Sequence, residues 1–395
     1  MRHCRSTSAL AAALTTSALL VSACAGSAAS PADSADTPPA AAPSLENDNA
    51  AAEPPATPQA APEDTRVLAP TVAGTVTANL RTPWGLTFLP DGSALVSERD
   101  SARVLRVAPD GTRTEIAVVP GVDAGGEGGL LGIALRPATG DPAAERELYA
   151  YLTAGRDNRV VRMSFSPVRN GIGQPQPVLT GIAKANIHNG GRITFGPDGF
   201  LYVATGDASA TGRSQDPASL NGKILRVTPE GQPAPGNPTA GSPVWSLGHR
   251  NVQGLAFDSR GQLWASEFGQ NTLDELNRIQ AGGNYGWPTV EGPGGAARGF
   301  IDPVASWATS EASPSGIAVA GNSVWMAALR GQRLWQVPIP GGVVGEPVAQ
   351  FAGAYGRLRH VELAPDGSLW MLTNSTDGRG TPNPDGDRIV RITLG

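Results

Sequence analysis

Leu86–Glu98 reads LTFLPDGSALVSE: an apolar stretch, a Pro-Asp-Gly turn, and a second stretch in which apolar residues alternate with polar ones. This is the pattern of a tight β-hairpin. It recurs, with a longer loop in the first copy and a Gly-Asn turn in the fourth, at Ile133–Thr153, Ile193–Asp207, Leu255–Glu267, Ile317–Leu329 and Val361–Asn374. Each copy is followed by a further strand-like stretch: Arg103–Val107, Arg159–Phe165, Lys223–Val227, Glu275–Ile279, Arg333–Val337 and Arg388–Thr393.

Six copies at this spacing predict an all-β fold, a six-bladed β-propeller with insertions in the middle blades. A lone four-stranded sheet cannot bury both of its faces, whereas radial stacking buries each sheet against its neighbours. The 50 glycines and 35 prolines among 395 residues suit many tight turns. A net charge of -5 without a basic stripe argues against nucleic acid as a partner.

Residues 1–24 have the features of a bacterial lipoprotein signal peptide. Met1–Arg5 carries positive charge, Ala9–Val21 is mostly apolar, and Val21-Ser22-Ala23-Cys24 resembles a lipobox. The sequence therefore predicts an extracytoplasmic, cell-envelope protein that is anchored to the membrane through a lipid on Cys24. An ordinary secretory signal, with Cys24 incidental, is the alternative. Cleavage before Cys24 leaves one cysteine, which excludes an intramolecular disulfide.

Residues 25–65 are rich in Ala, Pro, Ser and Asp and predict a disordered N-terminal tether. The propeller domain is expected over residues 66–395. Thr75–Leu80 has the character of a strand, and we expect it to complete the blade that the C-terminal strands begin. That overlap of the two ends of the domain removes an open sheet edge.

The polar residues just outside the repeated strands are the candidate functional groups, because propeller blades are scaffold and their loops carry function. His188 lies between Asn and Gly-Gly before the third hairpin, and Asp207 ends that hairpin. If both face the channel, Asp207 orients the imidazole as a general base. The residue pattern alone fits equally well with His188 as a turn residue and Asp207 as a turn cap.

Three further clusters enter or leave the later blades. His249-Arg250-Asn251 suits an anion or a carbonyl group. Ser266–Asn271 with Glu275 offers oxygen ligands of the kind that Ca²⁺ prefers, although the spacing is not that of an EF-hand. Arg357 and Arg359 share one face if they lie in a strand, which suits a ligand with several carboxylates or phosphates. The alternatives are a solvated loop for the first cluster, ordinary turn chemistry for the second and one edge of a solvated sheet for the third.

Together these segments resemble the soluble quinoprotein sugar dehydrogenases, the glucose/sorbosone and aldose sugar dehydrogenases that use pyrroloquinoline quinone (PQQ). The resemblance runs from about Leu80 to Leu394. The motifs that carry it occur in family order: Glu127-Gly128-Gly129-Leu130-Leu131-Gly132, His188-Asn189-Gly190-Gly191 with Gly206-Asp207, Gly248-His249-Arg250-Asn251-x-Gln253-Gly254, Gly282-Gly283-Asn284-Tyr285-Gly286-Trp287-Pro288, and Arg357-Leu358-Arg359.

The resemblance implies oxidation of an aldose at C1, with His188 as the base, Asp207 as its orienting partner and Arg250 stabilising charge on the quinone. It implies PQQ contacts from Asn251, Arg330, Arg357 and Arg359, and from Trp307 and Thr309 in a loosely matching segment. It further implies Ca²⁺ ligands: the main-chain carbonyls of Gly269 and Gln270 at the quinone, and Glu275 and Tyr285 at a second, structural ion. The electron acceptor is not implied.

Two residues depart from the family pattern. Glu127 stands where many members have glutamine near the substrate and the quinone, and an unpaired carboxylate there repels an anionic cofactor. Gln270 replaces a frequent proline, which matters less for a main-chain ligand. The alternatives to an aldose dehydrogenase are a non-catalytic propeller that binds a sugar or a protein, which Glu127 favours, and a Ca²⁺-dependent lactonase, for which converging carboxylates are missing.

Overall fold

The structure is a computed structural model that describes residues 66–138 and 140–395. The predicted signal peptide, Cys24 and tether lie outside the described residues. Within them, helices are limited to three short 3-10 turns, and none is long and apolar enough to cross a membrane. Those turns are Thr211–Ser214, Ala296–Arg298 and Pro340–Gly342.

The described residues form 25 strands in six antiparallel sheets. The first thirteen are β1 (Pro70–Leu80), β2 (Pro83–Phe88), β3 (Ala94–Glu98), β4 (Arg103–Val107), β5 (Arg113–Val118), β6 (Leu130–Leu135), β7 (Arg146–Thr153), β8 (Asn158–Ser166), β9 (Gly171–Ile172), β10 (Gln176–Ile182), β11 (Ile193–Phe195), β12 (Leu201–Ala204) and β13 (Lys223–Val227). The others are β14 (Val244–Leu247), β15 (Val252–Phe257), β16 (Leu263–Glu267), β17 (Leu273–Ile279), β18 (Ala305–Ala308), β19 (Pro314–Ala320), β20 (Ser323–Ala328), β21 (Arg333–Pro338), β22 (Val348–Gln350), β23 (Leu358–Leu363), β24 (Leu369–Thr373) and β25 (Asp387–Leu394).

The six sheets are the blades of a propeller, as predicted. Their strand orders are β2-β3-β4-β5, β6-β7-β8-β10 with β9 beside β8, β11-β12-β13-β14, β15-β16-β17-β18, β19-β20-β21-β22 and β23-β24-β25-β1. The first strand of each order is the inner one. Each inner strand contacts the next around the ring, and β23 returns to β2, so the ring is closed.

The N-terminal strand closes the last blade. β1 pairs antiparallel with β25, from Pro70 opposite Leu394 to Leu80 opposite Asp387. This confirms the predicted overlap of the two ends of the domain. Leu80 is fully buried, in a cluster with residues of the first and last blades.

Apolar side chains pack between blades. One cluster joins Trp84 of the first blade, Leu131 of the second and Ile193 of the third. The hairpin turns leave the two ends of each inner strand at opposite mouths of the central channel. His188, Arg250 and Arg357 precede inner strands and therefore belong to one mouth, where we place the candidate site.

Candidate functional site

His188 and Asp207 meet at the mouth of the channel. His188 Nδ1 lies 2.8 Å from Asp207 Oδ1, and the His188 side chain is 13% exposed while that of Asp207 is fully buried. The hairpin of β11 and β12 brings the two residues together, because one precedes it and the other follows it.

The backbone at His188 and the backbone at Gly206–Ala208 lie in close contact, which fixes this pair. His188 has φ 61°, in the left-handed region, and its carbonyl accepts a hydrogen bond from Ala208 N–H at 3.1 Å. A Cβ on Gly206 would lie 2.0 Å from that carbonyl oxygen, so only glycine fits there. The strained His188 backbone is held by the loop that carries its carboxylate partner.

Asp207 has a donor on each carboxylate oxygen. Ser209 N–H donates to Oδ1 at 2.8 Å, and Trp287 Nε1–H donates to Oδ2 at 2.9 Å. Burial acts to raise the pKa of Asp207. The hydrogen bond and charge of His188 and the hydrogen bonds from Trp287 and Ser209 outweigh burial, so the pKa of Asp207 is lowered. Asp207 is therefore an ionised acceptor, and Nδ1 of His188 must be the donor between them.

Arg250 lies on the same rim. Its guanidinium is 5.4 Å from the centroid of the Trp287 ring, and Nη1 donates to Phe268 O at 3.2 Å. Burial lowers the pKa of Arg250. Its backbone N–H donates to Glu267, whose other oxygen binds the buried His249 at 2.8 Å. His249 is thus part of the scaffold.

Asn251 binds the backbone of the segment that carries His188. Its Oδ1 accepts the Gly190 N–H at 3.0 Å, and the residue is buried. A cofactor contact by Asn251 stays a prediction.

Glu127 is paired, so the repulsion of an anionic cofactor that an unpaired carboxylate would cause does not arise. Its Oε2 accepts the backbone N–H of His188 at 2.8 Å, and its Oε1 binds Arg379 Nη1 at 2.9 Å. The carboxylate therefore joins the base to a loop of the last blade, and Arg379 neutralises its charge.

Next to this pair lies a cavity of about 650 Å³, which we call the arginine cavity. Arg330, Arg357, Arg379 and Arg388 are among its lining residues. The Arg357 Nε is buried and has no hydrogen-bond partner in the described part of the chain. An excess of cationic groups around an open space suits a polyanionic ligand.

Arg359 does not line that cavity and is only 4% exposed. Its Nη1 donates to Gln253 Oε1 at 2.8 Å, and its Nη2 lies 3.7 Å from Asp377. Asp377 also binds Arg357 at 2.9 Å, so a carboxylate of the protein lies between the two guanidinium groups for which the sequence had suggested an external anion. The two arginines act against burial to lower the pKa of Asp377.

Trp307 and Thr309 are not brought into contact with these groups. Trp307 is 5% exposed and packs on Trp335, with ring centroids 5.4 Å apart. Their direct roles toward a cofactor stay predictions.

The predicted calcium loop is built around a residue that sequence analysis missed. The carboxylate of Glu291 accepts the backbone N–H groups of residues 270–273 at 2.8–3.2 Å. The carbonyls of Gly269 and Gln270 accept no hydrogen bond from the rest of the described chain. Among the residues that the structure describes, no group of three His, Cys, Asp or Glu side chains could hold a metal ion.

The two residues predicted for a second calcium ion are occupied by protein contacts. Glu275 accepts the Gly292 N–H at 2.7 Å and Asn277 Nδ2–H at 3.0 Å, and burial with nearby Glu267 raises its pKa to about 8. The Tyr285 hydroxyl donates to Arg278 O at 2.7 Å, so it serves the fold. Calcium at these residues stays a prediction.

Sequence analysis missed Trp287, Asp377 and Arg379 as members of the site. Trp287 lies within the motif Gly282–Pro288 that carried the family resemblance, so the sequence did contain a signal for it. Asp377 and Arg379 lie in a loop before β25 whose contacts depend on ring closure, and no local pattern indicates them.

Comparison with known proteins identifies relatives over the whole propeller. A sequence model of the family described as Glucose / Sorbosone dehydrogenase matches residues 80–386. The chain is 30% identical over 330 residues to the aldose sugar dehydrogenase YliI of Escherichia coli, covering 75% of this chain and 88% of that protein. It is 32% identical over 257 residues to quinoprotein glucose dehydrogenase B of Acinetobacter calcoaceticus, covering 55% of this chain and 52% of that protein.

A solved structure gives the same result. The PQQ-bound form of aldose sugar dehydrogenase from Streptomyces coelicolor superimposes with a TM-score of 0.80 at 54% identity, covering 83% of this chain and 98% of that one.

Proposed function

Because the chain belongs to the glucose/sorbosone dehydrogenase family, we propose that it is a PQQ-dependent dehydrogenase that oxidises aldose sugars at C1 to the lactone. The observation that carries this proposal is the position of the His188–Asp207 pair beside the arginine cavity. Glu127 links the two, since its carboxylate binds both the His188 backbone and Arg379. A base and an anion-binding cavity therefore share one mouth of the channel.

His188 is the general base in this proposal. Its Nδ1–H is committed to ionised Asp207 at 2.8 Å, which leaves the lone pair of Nε2 to take the proton of the C1 hydroxyl. The imidazolium that forms is stabilised by the same carboxylate. Trp287 holds that carboxylate in place through its Nε1–H.

The residues of the cavity fit PQQ, a flat tricarboxylate. The Nε of Arg357, a lining residue, is buried without a hydrogen-bond partner in the described chain, so Arg357 has donor capacity left; the same holds for Arg250 and Arg359, which lie outside the lining. Arg330 and Arg357 line the cavity and would hold carboxylates, while Arg250 lies over the ring of Trp287, the partner of Asp207. When bound, PQQ supplies the acceptor for the C1 hydride, and Ca²⁺ supplies the Lewis acid that polarises its carbonyl.

Ca²⁺ fits the donor chemistry of the loop at Gly269 and Gln270, since hard cations take carbonyl oxygens. Phe268 O, directly before this loop, already accepts from Arg250. These carbonyls would hold the ion, and the loop that carries them adjoins Arg250.

A non-catalytic binding propeller is the second candidate function. The observation in its favour is the ion pair of Glu127 with Arg379, which commits one of the arginines of the cavity to a protein carboxylate. It predicts ligand binding without electron transfer.

The test is reconstitution of the purified protein with PQQ and Ca²⁺. We expect PQQ to bind, which a spectroscopic titration follows. The reconstituted protein should then reduce a dye with a panel of aldoses as substrates, and NMR should identify the lactone. Sugar or protein binding without PQQ uptake or dye reduction would leave the non-catalytic propeller as the function.

We also propose that the protein is exported and anchored through Cys24. The sequence of residues 1–24 supports this. Metabolic labelling with a radioactive fatty acid should mark the wild type and not Cys24→Ser, and the variant should leave the membrane fraction. Labelling of neither protein would favour an ordinary secretory signal.

A further inference from the structure

A second cavity lies in the central channel and shares no lining residue with the arginine cavity. Its volume is about 410 Å³, and all six inner strands line it where they end. We call it the distal cavity. Three chemistry-bearing side chains line it: Arg192, His360 and Glu362. The proposed dehydrogenase chemistry uses none of them.

Arg192 is a buried cation that forms no close ion pair in the described part of the chain. It is 4% exposed, and the Glu362 carboxylate is the charge that acts on it, so Arg192 is compensated only while Glu362 is ionised. Its Nε donates to Gln253 O at 2.8 Å, and its guanidinium lies 4.2 Å from the centroid of the Trp84 ring. Burial lowers its pKa only to about 9, so it stays charged at neutral pH. Buried charges are normally paired, because an unpaired one is costly.

Two polar atoms of this cluster are buried without a partner. They are Arg192 Nη2 and His360 Nδ1, within the described part of the chain. Both lie against Gly316: a Cβ there would overlap the His360 ring, at 1.8 Å from Nδ1, and would lie 3.0 Å from Arg192 Nη2. The absence of a side chain on Gly316 therefore keeps the two atoms next to one another.

We propose that the distal cavity binds a small monovalent anion, represented by chloride, between Arg192 Nη2 and His360 Nδ1. The anion compensates the Arg192 charge and satisfies both buried atoms. Arg359, whose guanidinium lies 5.9 Å from the centroid of the same Trp84 ring, adds positive potential at His360. The proposal does not depend on the proposed function, because the two cavities are lined by different residues.

Glu362 decides whether His360 can donate to the anion. His360 Nε2 lies 3.1 Å from Glu362 Oε2, and the Glu362 side chain is 37% exposed. When Glu362 is ionised, Nε2 carries the imidazole proton, and Nδ1 presents a lone pair to the anion. When Glu362 is protonated, it donates to Nε2, and Nδ1–H becomes the second donor beside Arg192. Anion binding is therefore coupled to protonation of Glu362.

The first experiment measures the melting temperature of the cofactor-free protein at pH 6 in sodium chloride and in sodium gluconate of equal ionic strength. Gluconate is too large for the site. We expect the melting temperature to be about 2 °C or more higher in chloride. Gly316→Ala, whose Cβ would overlap the His360 ring and displace Nδ1 from Arg192 Nη2, should remove this difference. Equal melting of the wild type in both salts would overturn the proposal.

A bromide soak locates the ion. We expect an anomalous peak within contact distance of Arg192 and His360. Bromide found in the arginine cavity and not in the distal cavity, or a chloride effect that persists in Gly316→Ala, would overturn the assignment.

Because Gly316→Ala could fail to fold, Glu362→Gln serves as the second variant. Glu362→Gln should keep the chloride effect at pH 8, where the wild type has lost most of it. Loss of the chloride effect in Glu362→Gln at pH 8 would contradict the coupling.

Discussion

Replacing Asp207 by asparagine tests how the base is oriented. The carboxylate accepts from His188 and Ser209 on Oδ1 and from Trp287 on Oδ2, so all its partners are donors. An asparagine keeps two of the three bonds by turning its carbonyl oxygen toward His188 and Ser209. Its NH₂ group then faces the Nε1–H of Trp287, and two buried donors oppose one another.

The expected magnitudes follow from that geometry. The imidazolium loses a charged acceptor and keeps a neutral one, a difference of about 1–2 kcal/mol, so kcat should fall about 5- to 30-fold with little change in KM. The opposed donors should lower the free energy of unfolding by about 1–3 kcal/mol. Trp287→Phe removes one of them, so the double variant should be destabilised by less than the sum of the single variants.

Steady-state dye reduction and urea unfolding measure these quantities. A kcat for Asp207→Asn within twofold of the wild type would refute the orienting role of Asp207. Strict additivity in the double variant would show that the Trp287 bond is not formed in solution.

Three further predictions concern other parts of the molecule. Glu127→Gln should change the Kd for PQQ by less than about fivefold, because Arg379 already neutralises the carboxylate; tightening beyond tenfold in a spectroscopic titration would contradict the pair. Leu80→Ala, at the fully buried last residue of the closing strand, should cost about 2–5 kcal/mol in urea unfolding, whereas Val67→Ala, at a residue 45% exposed, should stay within about 0.5 kcal/mol; equal effects would argue against ring closure by β1. Burial, opposed by the charge of Arg192, raises the pKa of the partly exposed Glu362, so this carboxylate takes up protons as the pH falls toward neutrality and the stabilisation by chloride should grow from pH 8 to pH 6; a pH-independent chloride effect would contradict the coupling.

Local sequence signals predicted most of the fold. The Pro-Asp-Gly turns and alternating apolar residues identify the hairpins, and the bounds predicted for Arg103–Val107 and Lys223–Val227 equal those of β4 and β13. The outer strands gave no such signal. β5 and β22 are mostly exposed, so their residues need not alternate between apolar and polar.

The candidate site was predictable where its members flank one hairpin. His188 and Asp207 are 19 residues apart and lie at the two ends of the β11–β12 hairpin, so local structure brings them together. Trp287 is 80 residues from Asp207, and Arg379 is 252 residues from Glu127. These contacts exist because the ring closes, and no local pattern encodes which loops then face one another. The pairing of Glu127 was missed for that reason.

The most direct test of the account compares binding with turnover in His188→Gln. With PQQ and Ca²⁺, the variant should bind the cofactor with a Kd within about threefold of the wild type, because the arginine cavity is intact. Its kcat for aldose oxidation should fall about 10²- to 10⁴-fold, the usual contribution of a general base. Turnover close to that of the wild type, or a wild type that binds no PQQ, would contradict the claim that His188 acts as the base beside a quinone site.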